Sequence, residues 1–335
     1  VLKECGLDPT FIIGGKLATT GSNAKLGEGE YLLAEADESD ASFLFLNPMI
    51  SVVTNIDLDH MDTYEHDENK LKQAFIQFLH NLPFYGRAIV CGEDKRLQEI
   101  IPSINRPTTT YGLSDKFDIY ATEVVAVGGS MSYNVHVKWL NLIYPIVVNM
   151  PGVHNVLNSL SVIAVALECD GKIEDIARGL ANFHGVGRRC QHYPEIQHAG
   201  KTALLIDDYG HHPVELKATL SALRGAYPEK RMVLIFQPHR YTRTRDLFDD
   251  FVSVLSDVDQ LIITEVYPAG EKPIALADGR ALVRAIRLQG NENAIFAEDI
   301  VDAKRKLFNI LQQDDLVVTM GAGSVGKLPA MLNND

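Results

Sequence analysis

A short apolar strand, a polar turn and an amphipathic helix follow one another in LLIDDYGHHPVELKATLSAL (residues 204–223). The same order returns further on, where the apolar run MVLIF (232–236) ends in the polar segment QPHRYTRTR (237–245). Strands that alternate with helices of this length indicate βαβ units and a mainly parallel sheet, which binds ligands at the carboxyl ends of its strands. We therefore predict an α/β fold for this half of the chain.

The alternation continues to the end of the chain. The apolar periodicity predicts helices over 214–225, 246–256, 279–288 and 299–312, and strands over 204–206, 232–236, 260–264 and 316–319.

Apolar runs and helical spacing also organise the first half of the chain. Strands are predicted over 31–36, 50–56 and 88–91, antiparallel strands within 119–148, and helices over 68–81 and 155–168. The first two strands are expected to lie in one sheet. A domain boundary is expected near residues 185–190.

Composition excludes several classes of protein. The chain has 335 residues, enough for two domains, and its net charge of −13 disfavours binding to nucleic acid or to anionic lipid. Its apolar runs fall well short of the ~20 residues that span a bilayer. The four cysteines lack metal or disulfide spacing, which favours a reducing cytoplasm.

Two acidic segments end the first two predicted strands, EADESD (35–40) and NIDLDHMD (55–62). Carboxylates and an imidazole at neighbouring strand ends suit a hard cation such as Mg²⁺. The alternative is a pair of solvated acidic turns.

A second pattern, PGVHNVLN (151–158), places two asparagines on one face of a helix's first turn, where their amides suit a purine edge. The alternative is that an asparagine simply caps the helix.

The two polar segments of the second half, 207–213 and 237–245, carry histidine, tyrosine and arginine. Such a crevice suits carboxylate or phosphate groups, with a solvated basic turn as the alternative. A third segment, GAGSVGK (321–327), has the spacing of a phosphate-binding loop. It lacks the following hydroxyl residue and runs into Pro329, so we predict a glycine-rich turn that closes the last strand.

Taken in order along nearly the whole chain, these segments resemble the Mur ligase family, and within it the alanine-adding branch. The resemblance implies an incomplete P-loop-type central domain (1–187) and a Rossmann-like carboxy-terminal domain (188–335). It implies ATP and Mg²⁺ as cofactors, and UDP-N-acetylmuramate and L-alanine as substrates joined through an acyl phosphate in peptidoglycan synthesis. No nucleic-acid or membrane partner is implied, and a homodimer remains an option.

The resemblance also assigns roles to residues of this sequence. Glu35 and His60 correspond to the Mg²⁺ ligands, with Glu38 as the alternative carboxylate. The ATP-binding residues by this resemblance are Asn155, Asn158, Arg189 (with Arg188 as the alternative) and Asp208. The residues around the muramoyl carboxylate and the incoming alanine are Tyr209, His211, His239, Arg240 and Arg243, and catalysis is assigned to His211, Arg240 and Arg243.

Where the sequence departs from the family, it lacks the amino-terminal UDP-binding domain and the P-loop. We therefore expect a truncated chain that is inactive alone and has exposed apolar surface. Two alternatives remain: a metal-dependent phosphohydrolase built on Asp57, Asp59, His60 and Asp62, and a nucleotide-binding module without catalysis.

Overall fold

The structure, a computed structural model, describes residues 1–14, 22–58, 60–127, 129–183 and 185–333. The chain divides into two units, residues 1–184 and 185–335. The division lies a few residues before the predicted domain boundary at 187/188.

The first unit contains a three-stranded and a six-stranded sheet. The strand bounds are β1 Thr10–Ile12, β2 Ala24–Lys25, β3 Leu32–Ala34, β4 Ile50–Val53, β5 Arg87–Cys91, β6 Thr108–Gly112, β7 Ile119–Val127, β8 Ser130–Val137 and β9 Leu142–Val148. The helices are α1 Glu68–His80, α2 Lys95–Ile100, α3 Val153–Glu168 and α4 Ile173–Ala181.

The larger sheet has the order β4-β5-β6-β7-β8-β9, parallel from β4 to β7 and antiparallel from β7 to β9. The long apolar helix α3 packs against β5, β6 and β7, and α4 packs against β9. Their buried side chains, among them Leu160 and Ile163 of α3, join those of the sheet in one core. The predicted antiparallel stretch within 119–148 is therefore confirmed.

One prediction about this unit is wrong. β3 does not lie in the same sheet as β4: it pairs in parallel with β1, with Phe11 opposite Leu33, in the small sheet of order β2-β1-β3. Leu32 and Leu33 are exposed in it. A run of three apolar residues predicts a strand but does not say which strand pairs with it, so the expectation that the first two strands share a sheet failed.

The second unit is a single six-stranded sheet with helices on both faces. Its strands are β10 Gln191–His198, β11 Lys201–Asp208, β12 Met232–Phe236, β13 Gln260–Thr264, β14 Ala294–Ala297 and β15 Leu316–Met320. Its helices are α5 Pro213–Ala226, α6 Tyr241–Asp246, α7 Phe248–Leu255, α8 Gly279–Leu288, α9 Ile300–Ile310 and α10 Leu328–Leu332.

The strand order is β10-β11-β15-β12-β13-β14, and all neighbours are parallel except β10, which is antiparallel to β11. Successive strand residues face opposite layers: Ile206 and Leu234 pack with α5, α7 and α8, whereas Leu205 and Val233 pack with α9 and α10. The predicted α/β class with mainly parallel sheets is confirmed.

Strand β15 lies between β11 and β12, so the carboxyl ends of these three parallel strands lie side by side. This reversal of strand order is where such sheets bind ligands. The predicted helix 246–256 is confirmed as α7, and a separate short helix that was not predicted, α6, precedes it from Tyr241 to Asp246. No helix in the described part of the chain has both the length and the apolar character to cross a membrane.

Candidate functional site

Two aspartates end β11, and both are buried. Asp207 pairs with the Arg188 guanidinium (Oδ2 to Nε, 2.7 Å) and accepts the Thr319 hydroxyl on its other oxygen at 2.6 Å. Burial raises the pKa of Asp207 against the opposing pull of Arg188. Asp208 accepts the backbone N–H groups of Cys190 (2.9 Å) and Gly210 (2.7 Å). The two carboxylates thus tie the end of β11 to the segment that carries Arg188.

The two neighbouring arginines have different surroundings. Arg188 donates to the Gly321 carbonyl (2.5 Å) in addition to its pairing with Asp207, and its side chain is 22% exposed. Arg189 is 47% exposed and has a longer pairing with Glu215 (3.4 Å). Both guanidinium groups lie over the Tyr209 ring, at 5.2 and 5.7 Å from its centroid. Arg188 therefore stabilises the fold through these bonds, whereas the side chain of Arg189 is the more accessible to a ligand.

The turn after β11 is organised by a glutamate at the start of α5. Glu215 Oε2 accepts the backbone N–H groups of His211 (2.9 Å) and His212 (3.2 Å), and it lies 3.4 Å from His211 Nδ1. His212 is the N-cap and completes a capping box with Glu215. Burial works to raise the pKa of Glu215, but the positive charges and N–H groups around it hold that pKa below its usual value.

The end of β12 brings a second histidine and two arginines to the same edge of the sheet. The His211 and His239 rings lie 5.5 Å apart, which joins the two polar turns that the sequence analysis paired. Arg243 lies on α6, and its Nη1 is 3.5 Å from His239 Nδ1. Burial and the positive charges of His211, Arg243 and Arg240 lower the pKa of His239 to about 4. At neutral pH His239 therefore carries no charge.

The glycine-rich segment 321–327 closes β15 as a turn and a short 3₁₀ helix, Ser324–Lys327, followed by the five residues of α10. Gln237 binds it, with Oε1 accepting the Val325 N–H at 2.9 Å and Nε2 donating to the Ser324 hydroxyl at 3.0 Å. A Cβ on Gly326 would meet the Arg188 guanidinium at 2.4 Å. The loop is packed on its own unit, so the prediction of a closing turn is confirmed.

In the first unit, the acidic segment begins at the carboxyl ends of β1 and β3. Glu35 Oε2 accepts the Gly14 N–H at 2.5 Å, and the Glu35 N–H donates to the Ile12 carbonyl. The small sheet therefore fixes Glu35 at the edge where parallel strands present ligands.

The His60 segment contacts this acidic segment. Thr63 donates to the Ser39 carbonyl and Tyr64 to the Glu38 carbonyl, each at 2.5 Å, while His60 itself adopts a left-handed backbone (φ 54°) at the start of the 3₁₀ helix Met61–Tyr64. Burial and the neighbouring carboxylates raise the pKa of Tyr64 to about 12. The two predicted acidic segments are thus brought together by side-chain contacts, although their strands lie in different sheets.

Two of the four residues named for the phosphohydrolase alternative lie near or pair with other side chains. Asp57 lies 3.9 Å from Arg96, Asp62 pairs with His66 at 3.0 Å, and Asp59 lies outside the described residues. Among the residues that the structure describes, no group of three or more histidine, cysteine, aspartate or glutamate side chains is arranged to hold a metal.

The asparagine pair lies in the first two turns of α3. The N-cap is Gly152, with φ 97° and no side-chain cap, so the alternative of an asparagine cap is wrong. Asn155 is buried and its Nδ2 donates to the Pro151 carbonyl at 2.8 Å, whereas Asn158 is exposed. Asn155 shapes the turn, and Asn158 is accessible to a ligand.

Sequence reasoning missed two glutamates of the second unit. Glu215 stands three residues after His212, the capping-box spacing that could have identified it. Glu271 follows β13 and accepts both the N–H (3.0 Å) and the hydroxyl (2.7 Å) of Thr242. Glu271 reaches Thr242 because β13 lies beside β12 in the sheet, and the sequence alone does not show that these two strands are neighbours.

Comparison with known proteins agrees with this architecture. Residues 17–166 match the Mur ligase middle domain, and residues 188–323 match the Mur ligase glutamate ligase domain. A UDP-N-acetylmuramate–L-alanine ligase of Neisseria meningitidis serogroup A is 58% identical over 99% of this chain and 72% of its own length. The ligase of the same name from Chromobacterium violaceum is 59% identical over 98% of this chain and 71% of its own.

Solved structures share the fold. A UDP-N-acetylmuramate–alanine ligase from Thermotoga maritima superposes with a TM-score of 0.79 at 23% identity, covering 99% of this chain and 69% of its own. A MurF ligase from the same organism, solved in complex with ADP, gives a TM-score of 0.73 at 15% identity, over 99% and 74% of the two chains. The chain therefore belongs to the Mur ligase family, in the branch of the UDP-N-acetylmuramate–L-alanine ligases.

Proposed function

We propose that the chain catalyses the ATP-dependent joining of L-alanine to the carboxylate of UDP-N-acetylmuramate. The names of relatives at 58–59% identity support this substrate pair. The observation that carries the proposal is the cationic edge of the second unit, where the turns after β11 and β12 meet through His211 and His239. This edge carries the exposed Arg240 and the buried Arg243, and a reaction between a carboxylate and a triphosphate requires such positive charge.

The proposed reaction balances in two steps. A carboxylate oxygen of UDP-N-acetylmuramate attacks the γ-phosphorus of ATP and ADP leaves, which gives an acyl phosphate. The amine of L-alanine then attacks the acyl carbon, the bridging oxygen leaves with the phosphate, and the nitrogen loses a proton. Both attacking groups must be held about 3 Å from their targets against charge repulsion.

Residues of the second unit supply that positioning. Arg240 and Arg243 are assigned to the reacting carboxylate, and His211, fixed by Glu215 at its backbone N–H, lies beside His239. Because its pKa is lowered to about 4, His239 is neutral at pH 7 and can exchange hydrogen bonds with the amine without repelling it. The Tyr209 ring lies under the Arg189 guanidinium, 5.7 Å from ring centroid to guanidinium carbon.

The nucleotide is assigned to the residues that the family resemblance gives. Asn158 and Asn155 would hold the adenine, and Arg189 the phosphates. Both oxygens of Asp208 accept backbone N–H groups, and through Cys190 it fixes the residue that follows Arg189. Asp208 therefore also serves the nucleotide by positioning this arginine.

Mg²⁺ is assigned to residues of the first unit. One carboxylate, Glu35, and one imidazole, His60, suffice for a cation that keeps waters and binds substrate phosphates. Glu38 remains the alternative carboxylate. When bound, Mg²⁺ neutralises charge that develops on the phosphates. Glu35 is already fixed by the Gly14 N–H, so its carboxylate needs little reordering.

The four cysteines are free thiols, which supports a reducing, cytoplasmic setting.

Phosphate release from Mg²⁺-ATP tests the proposal, measured with and without UDP-N-acetylmuramate and L-alanine. It is measured for this chain and for an extended chain, which adds the 28% of the Neisseria meningitidis relative outside the match. We expect release that requires both substrates in at least one form. The Arg240→Gln variant of that form should lose about 10²-fold in kcat/KM. The control Arg284→Gln, at an exposed position of α8, should not. Silence in both forms, or release that ignores alanine, contradicts the proposal.

A further inference from the structure

The loop that follows β13, residues 265–271, runs alongside the segment 237–243 that ends β12. Their backbones exchange two hydrogen bonds: the Tyr267 N–H donates to the Pro238 carbonyl at 2.8 Å, and the Arg240 N–H donates to the Tyr267 carbonyl at 2.9 Å. These bonds flank His239, which forms an isolated parallel bridge with Tyr267. The loop therefore extends the sheet pairing past the ends of both strands, up to the first arginine.

The backbone at that arginine needs such support. Arg240 has φ 68°, in the left-handed region that residues with a Cβ rarely adopt, and it is the N-cap of α6 without a side-chain cap. A strained conformation at a functional site persists only where its surroundings hold it. The Tyr267 carbonyl, bound to the Arg240 N–H, provides one such hold.

Glu271 provides the second support for this segment of backbone. Its two carboxylate oxygens accept the N–H (3.0 Å) and the hydroxyl (2.7 Å) of Thr242, the second residue of α6. Helices begin with N–H groups that lack partners within the helix, and here a carboxylate from another loop supplies one. The first turn of α6, which leads to Arg243, is thus fixed from outside the helix.

Tyr267 provides the third through its ring. The ring stacks on His239, with centroids 5.5 Å apart and planes 11° from parallel. The ring also lies close to the glycine-rich turn, because a Cβ on Gly323 would be only 2.6 Å from it. Tyr267 therefore packs against both the glycine-rich turn after β15 and His239 of the cationic edge.

We propose that loop 265–271 is the positioning element of the cationic edge: Glu271 and Tyr267 fix the backbone from which His239, Arg240 and Arg243 extend. Glu271 is a positioning residue, since it acts through Thr242 and not on the substrate. This inference rests on the proposed function for its kinetic consequence, but its structural part stands without it. The arginine geometry is thus set from the loop that follows a third strand, β13.

Two substitutions of Glu271 separate positioning from charge. Glu271→Gln removes the charge, yet its amide can accept the Thr242 N–H and donate to the Thr242 hydroxyl, so the hold on α6 remains. Glu271→Ala removes both bonds. Glu298→Ala, a highly exposed glutamate of the same unit, is the matched control.

Two readouts apply to each variant: amide hydrogen exchange at Thr242 and Arg240 in this chain, and kcat/KM for both substrates in the active form. Glu271→Ala should speed exchange at both amides and lower kcat/KM about tenfold or more, because a small displacement of a binding group has effects of this size. Glu271→Gln should stay within about threefold of the parent, because it keeps the geometry. Circular dichroism checks that each variant folds, and Thr242→Val, nearly isosteric, replaces the alanine variant if that one does not.

Unchanged exchange and kinetics in Glu271→Ala overturn the proposal, as does a Glu271→Gln variant that is as impaired as Glu271→Ala, which would assign the effect to charge. If the parent protein shows no alanine-dependent phosphate release, the proposed function fails. The exchange experiment then still decides whether loop 265–271 holds α6.

Discussion

Removal of the Arg188 side chain should destabilise the second unit by an amount that depends on pH. In Arg188→Met, Asp207 keeps only the Thr319 hydroxyl as a side-chain partner and remains fully buried. Breaking a buried ion pair by removing one partner costs about 3–5 kcal/mol. The carboxyl can escape part of that cost by taking up a proton, and this sets an upper limit on the loss.

The limit follows from the ordinary pKa of aspartate, 3.8. Protonation at pH 7 costs about 4.4 kcal/mol, at about 1.36 kcal/mol for each of roughly 3.2 pH units, and at pH 5 it costs about 1.6 kcal/mol. We therefore expect the unpaired charge in Arg188→Met to cost about 3–4 kcal/mol of unfolding free energy at pH 7 and less than about 2 kcal/mol at pH 5, and the lost bond to the Gly321 carbonyl to add a cost that does not change with pH. The gap between parent and variant narrows as the pH falls, because the unpaired carboxyl becomes neutral.

The measurement is urea unfolding at both pH values, followed by amide hydrogen exchange in β11 and β15. These amides report on the second unit, whereas the single tryptophan, Trp139, lies in the first. Arg189→Met is the control, because its exposed pair with Glu215 contributes less than about 1 kcal/mol. Equal losses in the two variants, or a loss in Arg188→Met that is the same at pH 5 and pH 7, would refute this reasoning.

Three further outcomes are expected. The parent should lose unfolding free energy between about pH 6.5 and about pH 4 more steeply than His239→Gln, because over that range the unfolded chain protonates its histidine while the folded ring stays neutral; urea titrations across this range measure it. Asn158→Ala should weaken ADP binding about tenfold in calorimetry with little change in stability, whereas Asn155→Ala should also cost about 1 kcal/mol through the lost bond to the Pro151 carbonyl. Tyr64→Phe, which loses only its bond to the acidic segment, should raise the Mg²⁺ concentration for half-maximal activity severalfold in a metal titration.

Each of these has an outcome that contradicts it. Parallel pH curves for parent and His239→Gln would show that this histidine titrates normally. Unaltered ADP affinity in Asn158→Ala would remove the asparagine from the nucleotide site. A Tyr64→Phe variant with the parent's Mg²⁺ dependence would separate the acidic segment from the metal.

Most of the fold could be predicted because long periodic segments carry their own signal. Helix α3, with apolar residues at helical spacing, and the apolar strand β12 are examples. Strand β10 was missed because it lies at the sheet edge and reads as polar, with Pro194 within it. Strand β6, TTTYG, was missed because its buried residues are threonine, tyrosine and glycine, which do not form an apolar run.

The site was predictable to the extent that its residues follow strands. His211 and His239 each end a strand, and the parallel sheet then brings them together. The roles of Arg188 and Arg189 could not be separated from sequence, because their difference comes from Asp207, 19 residues further on. Glu271 was invisible for the same reason, since only the place of β13 beside β12 brings it to Thr242.

The central claim is that a substrate carboxylate attacks ATP at the cationic edge. The most direct test supplies UDP-N-acetylmuramate labelled with ¹⁸O in its carboxylate, together with Mg²⁺-ATP and L-alanine, and analyses the released phosphate by mass spectrometry. The account predicts phosphate that carries one ¹⁸O atom, because the bridging oxygen of the acyl phosphate leaves with phosphorus. Alanine-dependent release of unlabelled phosphate would contradict it.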